Sequence, residues 1–329
     1  MIVRKELQEA VDKLLEQRRE AAIETMRTRK EGLYRHCPAL AALEREQVAL
    51  LGELTAIALK KKTGDAGMLR ARCAAIDVQR AGLLRELGLD DSYLSPAYTC
   101  PHCEDTGFVE GRPCACYTAA LRRLSYESSP MGSSLRGQTF DNFDLNKYDD
   151  RPGELGIAPR QVMAKNLSVA KAFVKAFPDG GHSLLLTGPS GLGKTHLSSA
   201  IGGELAAQGY YVVYEMAPTL LQKLEDAKFG RSPLQEDYQN CDLLIVDDLG
   251  SEYITAFTTA ALFALLGERL VRGKPGIVST NFAPDELEQH YTKKLASRLC
   301  YDYDTLFFIG EDVRGAKRQS IIKEATGRA

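Results

Sequence analysis

Leu40, Leu43, Gln47, Leu50, Leu54 and Ile57 recur at three- and four-residue steps within a stretch rich in Leu, Ala, Glu, Arg and Lys. That period places them along one face of a helix. The same composition runs from Val3 to about Gly88, broken around Gly32 to Pro38 and Thr63 to Gly67, and predicts a helical hairpin or short coiled coil. Its apolar face serves packing among its own helices or docking onto a partner. Beyond Gln138 the pattern changes. Apolar runs at Ser183 to Thr187, Tyr211 to Glu215, Leu243 to Val246, Gly276 to Thr280 and Leu306 to Gly310 alternate with helical stretches. Such alternation predicts an α/β domain, a parallel sheet flanked by helices on both faces. Between the two lies a Cys-, Gly- and Pro-rich module from Tyr98 to Tyr117, then a polar stretch from Ser125 to Gly137. The chain therefore reads as a helical region over 1–95, a small module over 96–124, a linker over 125–137 and an α/β domain over 138–329.

Composition narrows this picture only slightly. In 329 residues, 44% hydrophobic content supports at least one substantial core. A formal charge of -2 gives no global basic signature, so any nucleic-acid contact must come from a local patch or from assembly. Met1 to Gln17 carries charges every few positions and lacks the apolar run of a signal peptide. No segment approaches the ~20 apolar residues that span a bilayer. The expectation is a cytoplasmic protein with no membrane partner, in which eight cysteines are reduced thiols or metal ligands.

Cys100-Pro-His-Cys103 is followed after ten residues by Cys114-Ala-Cys116. Two tight turns thus supply four thiolates, the set that tetrahedral Zn2+ requires, and Gly107 and Gly111 permit the hairpin between them. Four thiolates leave no open position, so the metal would be structural, stapling a module too small to build its own core. His102 is an alternative ligand, and an iron-sulfur cluster or free thiol pairs are alternative readings. Cys37, Cys73, Cys241 and Cys300 are isolated in sequence and read as plain thiols.

After Leu184-Leu185-Leu186 comes Gly188-Pro189-Ser190-Gly191-Leu192-Gly193-Lys194-Thr195-His196, then a helical stretch through Leu205. Strand, glycine loop and helix in this order form the context of a nucleotide-binding P-loop. Glycines let backbone N–H groups curl round phosphate oxygens, Lys194 supplies charge to the β and γ phosphates, and the Thr195 hydroxyl binds Mg2+. About fifty residues on, Leu243 to Val246 leads into Asp247 and Asp248. Asp247 is expected to orient Mg2+ and Asp248 to polarise the attacking water, so that ATP is hydrolysed. Ser279-Thr280-Asn281 closes the next apolar run, with Asn281 the residue chosen to sense the γ phosphate. Arg298 and Arg314 are candidates for neutralising charge on the transferred phosphoryl group, or else surface ion-pairing residues. A small-molecule kinase and a non-hydrolysing adaptor remain as rivals from other classes; the acid pair favours water activation over a phosphoacceptor.

Taken together, Thr139-Phe140-Asp141-Asn142-Phe143, Gly188 to Thr195, Leu243 to Gly250 and Ser279-Thr280-Asn281 resemble the DnaC/DnaI-type helicase loaders. These are AAA+ ATPases related to DnaA and to the IstB transposition helpers. The resemblance covers most of Gln138 to Gly310, and Cys100 to Cys116 looks like the module ahead of the core in the DnaI-like branch. It implies an AAA+ P-loop core, with Lys194, Thr195, Asp247 and Asp248 as the Walker residues and Asn281 as sensor one. Arg298 becomes a finger acting on a neighbouring subunit's ATP, and Arg314 sensor two. The implied partners are a DnaB-type hexameric replicative helicase, gripped by the N-terminal helices and Zn module, single-stranded DNA, and further copies of the chain through the AAA+ domains. DNA contact falls on an insertion at about Ala217 to Asp237, where Lys223, Lys228 and Arg231 could meet phosphates and Phe229 or Tyr238 could stack on bases. An IstB-like regulator of transposition shares the core but normally lacks the helical arm and Cys module.

Overall fold

The computed structural model describes residues 5–135, 137–153, 156–231 and 237–313. The described residues divide into two compact units, one of residues 9–117 and the other of residues 5–8 and those from 118 to 313. Among the described residues, no helix is long and apolar enough to cross a membrane.

In the first unit, helices α1 (Lys5–His36), α2 (Pro38–Ala58) and α3 (Ala66–Glu86) fall between the sequence breaks. Pro38 lacks an N–H and has a fixed φ, so it ends one helix and opens the next. The Asp65 carboxylate accepts from the Gly67 and Met68 N–H groups and starts α3. The α2 stripe faces inward: Leu40 is buried, and Leu43, Gln47, Leu50, Leu54 and Ile57 are half-buried. The hairpin is pinned outside by a bidentate Arg72–Glu46 pair at 2.6 and 2.9 Å and by Gln47 donating to Asp77.

The cysteine module is built on a two-stranded antiparallel ribbon, β1 (Phe108–Val109) and β2 (Arg112–Pro113). Its turn residues Glu110 and Gly111 have φ of 50° and 77°, the left-handed pair that matches strand twist. Helix α4 (Ala115–Glu127) follows, then α5 (Pro130–Leu135). The polar stretch 125–137, read as a linker, thus carries the end of one helix and the whole of another. Ser128 Oγ donates to the Leu124 carbonyl at the end of α4, which a polar side chain does as well at a helix terminus as in a loop.

The second unit is α/β, as expected. After α6 (Pro159–Ala176), the chain forms β3 (Ser183–Thr187), α7 (Lys194–Ala207), β4 (Val212–Met216), α8 (Ala217–Lys228), α9 (Asp237–Asn240) and β5 (Leu243–Leu249). It continues with α10 (Ala256–Val271), β6 (Gly276–Thr280), α11 (Pro284–His290), α12 (Lys293–Tyr301) and β7 (Tyr303–Phe307). The five strands form a parallel sheet ordered β4-β5-β6-β3-β7. The last strand begins three residues earlier than the apolar run Leu306 to Gly310 suggests. Its pairing starts at Ser183–Tyr303, and after Phe308 donates to the Thr187 carbonyl the chain leaves the sheet.

Successive strand residues alternate between two cores, as the pleat requires. Leu184, Leu186, Ile245 and Ile277 meet Leu197, Ile201 and Leu205 of α7 on one face. Leu185, Leu244, Val246 and Val278 meet Leu220, Leu262, Leu266 and Leu295 on the other. Arg269 of α10 is also buried; it donates to the carbonyls of Tyr238, Cys241 and Pro275 at 2.7–3.1 Å. Strand order reverses around β3, and in open α/β sheets ligands bind beyond the strand C-termini at such a point. Ile277 sits in the middle strand and is fully inaccessible. Ile277→Ala is expected to cost ~2–5 kcal/mol and to lower the urea midpoint of the full chain accordingly.

Candidate nucleotide site

The loop between β3 and α7 is shaped by glycines that no other residue could replace without strain. Gly188, Gly191 and Gly193 have φ of 136°, 85° and 90°. A Cβ on Gly193 would stand 2.9 Å from Tyr148 Oη and 3.1 Å from Phe143. The N-cap of α7 is Gly193, which brings no side chain to the first turn; the N–H groups and positive dipole of a helix start suit an anion.

Lys194 is buried and its Nζ donates to the carbonyls of Gly188 (2.5 Å) and Pro189 (2.8 Å) and to Asn281 Oδ1 (2.8 Å). Asn281 Nδ2 in turn donates to Asp248 Oδ1 at 2.9 Å. That amide orientation alone gives the ammonium an acceptor and the carboxylate a donor. Thr195 Oγ1 donates to Asp247 Oδ2 at 2.9 Å. The five positions that sequence reasoning assigned, Lys194, Thr195, Asp247, Asp248 and Asn281, therefore form one connected cluster.

Asp247 is 1% exposed. Besides Thr195, the Tyr214 hydroxyl donates to it at 2.9 Å and the Ser279 hydroxyl donates to its other oxygen. Burial, and then the Asp247 charge, push the Tyr214 phenol well above its usual range, so it stays protonated and a donor. Asp248 has a φ of 59°, a left-handed conformation that Asp tolerates at a cost of ~1–3 kcal/mol. Thr195 and Asp247 offer hard oxygens close together beside the loop, which suits Mg2+.

The Thr139 to Phe143 segment braces the loop. Thr139 O lies 2.9 Å from His196 Nε2, and Phe143 meets the His196 ring edge-on. Tyr148 Oη donates to the Leu192 carbonyl at 2.9 Å, and burial raises its phenol to about 12. Tyr148, Tyr214 and Ser279 escaped the sequence reading because their partners are remote in the chain. Only the Ser-Thr-Asn run hinted at one of them.

Arg298 lies on α12, its guanidinium 4.0 Å above the Phe263 ring, donating to the Phe263 carbonyl and 3.7 Å from Asp302. The structure does not bring it to the P-loop of its own chain. Arg314 lies outside the described residues. In the insertion, Lys223 pairs with Glu215 at 2.6 Å, and Tyr238 is buried with its hydroxyl on the same carboxylate. Tyr238 is thus a core residue, unable to stack on a base. Phe229 is 59% exposed with the Arg231 guanidinium 5.3 Å from its ring centre, and Lys228 lies over Phe257.

The Sγ atoms of Cys100, Cys103, Cys114 and Cys116 lie within 4.8 Å of one another. Four sulfurs each ~2.3 Å from a shared ion would stand ~3.8 Å apart; here Cys100–Cys114 is 3.9 Å and Cys103–Cys116 3.3 Å. The Gly107 N–H points at Cys103 Sγ, and the backbone N–H groups of Cys103 and His102 hold the Cys100 thiol down to about 7. Buried Asp105 ties the turn by accepting from the Thr99 and Cys100 N–H groups. The donor set fits a tetrahedral thiophilic ion. His102 is not part of it.

Residues 159–302 match the IstB-like ATP binding protein family. This stretch of the α/β unit is thus similar to the IstB/DnaC-like ATPases. An insertion-sequence ATP-binding protein of Mycobacterium tuberculosis is 30% identical over 54% of this chain and 63% of its own length. One from Sinorhizobium fredii is 37% identical over 60% of this chain and 65% of its own. The replicative helicase loader DnaI of Bacillus subtilis is 30% identical over 36% of this chain and 40% of its own. The chain thus spans less than two thirds of each of these relatives.

Gly193→Ala is expected to weaken ATP binding at least about tenfold by calorimetry, since the new Cβ meets Tyr148 and Phe143 and the required φ is strained.

Proposed function

We propose that this ATPase loads a hexameric replicative helicase onto DNA, as the DnaC/DnaI-type proteins do. The observation that carries the reading is the company the ATPase domain keeps: a helical unit closed by a four-cysteine module. DnaI-like loaders resemble this arrangement. IstB-like transposition helpers share the core but normally lack the arm and Cys module.

In the proposed cycle, Lys194 exchanges the Asn281 amide and two loop carbonyls for phosphate oxygens of ATP. The N–H groups at the start of α7 face the same phosphates. Thr195 and Asp247 hold Mg2+, which when bound offsets phosphate charge. Asp248 polarises the attacking water, and Asn281, already on Asp248, reports the γ phosphate to it. Arg298 serves a neighbouring subunit's nucleotide, with Arg314 as sensor two. Cys100, Cys103, Cys114 and Cys116 hold Zn2+, a structural crosslink. Lys228, Phe229 and Arg231 contact single-stranded DNA. ATP binding stabilises the assembly and hydrolysis releases it.

A second reading, an ATPase assisting DNA transposition, is favoured by the two insertion-sequence relatives. Affinity capture of a DnaB-type helicase and, separately, of a transposase by the full chain, with ATP or without nucleotide, distinguishes them. ATP-dependent capture of helicase, lost in Lys194→Ala, is expected; capture of transposase alone selects the second reading. Asp248→Asn is expected to keep ATP binding while turnover, measured by phosphate release, drops by about a hundredfold or more.

A further inference from the structure

The β5–β6 ladder slips where the acids sit. Val246 pairs with Val278 and Leu249 with Thr280, so β5 advances three residues while β6 advances two. The extra residue is taken up at Asp247 and Asp248, opposite Ser279, and there Asp248 adopts its left-handed φ. A regular strand would send neighbouring acids to opposite faces of the sheet. A bulge re-aims them.

A side chain fills the gap this leaves in the ladder. Ser279 is 1% exposed; its Oγ accepts the Asp248 N–H at 2.9 Å and donates its own proton to the Asp247 carboxylate. Beyond the bulge, Thr280 Oγ1 donates to the Leu249 carbonyl at 2.8 Å and the ladder resumes. One hydroxyl therefore uses its proton on one acid and a lone pair on the backbone of the next. Asn281, two residues along, then meets the side chain that this bulge has turned toward it.

We propose that Ser279 is a positioning residue for ATP hydrolysis, fixing the magnesium-orienting carboxylate and the water-polarising carboxylate relative to each other. This rests on the roles given above to Asp247 and Asp248. Thr195 and Tyr214 still hold Asp247 when the serine hydroxyl is gone, so the substitution should spare nucleotide binding and strike turnover.

The test uses the full chain and compares Ser279→Ala, Ser279→Thr and Asp248→Asn. It measures kcat, the ATP Kd, and the Mg2+ concentration giving half-maximal turnover. For Ser279→Ala, kcat should fall about ten- to a hundredfold and the Mg2+ requirement rise, with Kd held within about threefold. Ser279→Thr keeps the hydroxyl and should recover kcat to within about threefold. Three outcomes overturn the proposal: Ser279→Ala turning over like the parent, ATP binding lost together with turnover, or Ser279→Thr as impaired as the alanine variant. If Asp248→Asn turns over normally, the underlying assignment of the acids fails as well. If it is inactive while Ser279→Ala is normal, only the role of Ser279 falls.

Discussion

A carboxylate withdrawn from water must be given donors, because the ionised form otherwise costs several kcal/mol to bury. Asp247 meets that demand with three hydroxyls, from Thr195 on α7, Tyr214 on β4 and Ser279 on β6. They can converge because β5 lies between β4 and β6 and because α7 packs over the same face. The strand order and the position of the glycine loop thus meet at a single charged group. Loosening any of these elements would leave a buried charge short of partners.

The opposite charge is handled in a complementary way. Lys194 donates to two loop carbonyls and to the Asn281 amide oxygen. Such neutral acceptors are exchanged for phosphate oxygens more readily than an anion would be. Tyr148, Phe143 and His196 meanwhile fix the far side of the loop, so its peptide groups are organised before any ligand arrives.

Much of this was legible in the chain itself. Breaks at Pro38 and around Thr63 to Gly67 separate the helices, and four of the five strands fall where apolar runs stand. Local chemistry dictates these features. The last strand was misplaced because its buried Tyr303 is hidden among Asp302 and Asp304, while the apolar Phe308 and Ile309 lie past its end, Phe308 adding one last bond to Thr187. The supposed linker was read from residue type, yet Ser is accommodated at a helix end where its hydroxyl bonds back to the preceding turn, as Ser128 does to Leu124. Lys194, Thr195, Asp247, Asp248 and Asn281 were found from order and spacing. Tyr148, Tyr214 and Ser279 act through tertiary contact, which spacing does not encode. Tyr238 shows the converse error: an aromatic beside basic residues suggested a base platform, but its hydroxyl found Glu215 and its ring the core.

Arg269 imposes a constraint of a different kind. Its guanidinium bonds backbone oxygens at the end of α9 and just before β6, and the Cys241 sulfur, with no acid paired to it among the described residues. Peptide dipoles do the work of a counterion, and they do so only while both segments keep their shape. The short helix after the insertion and the middle strand of the sheet are therefore mechanically geared: turning one away would strand a bare cation in the interior, so the two can only move as a single part.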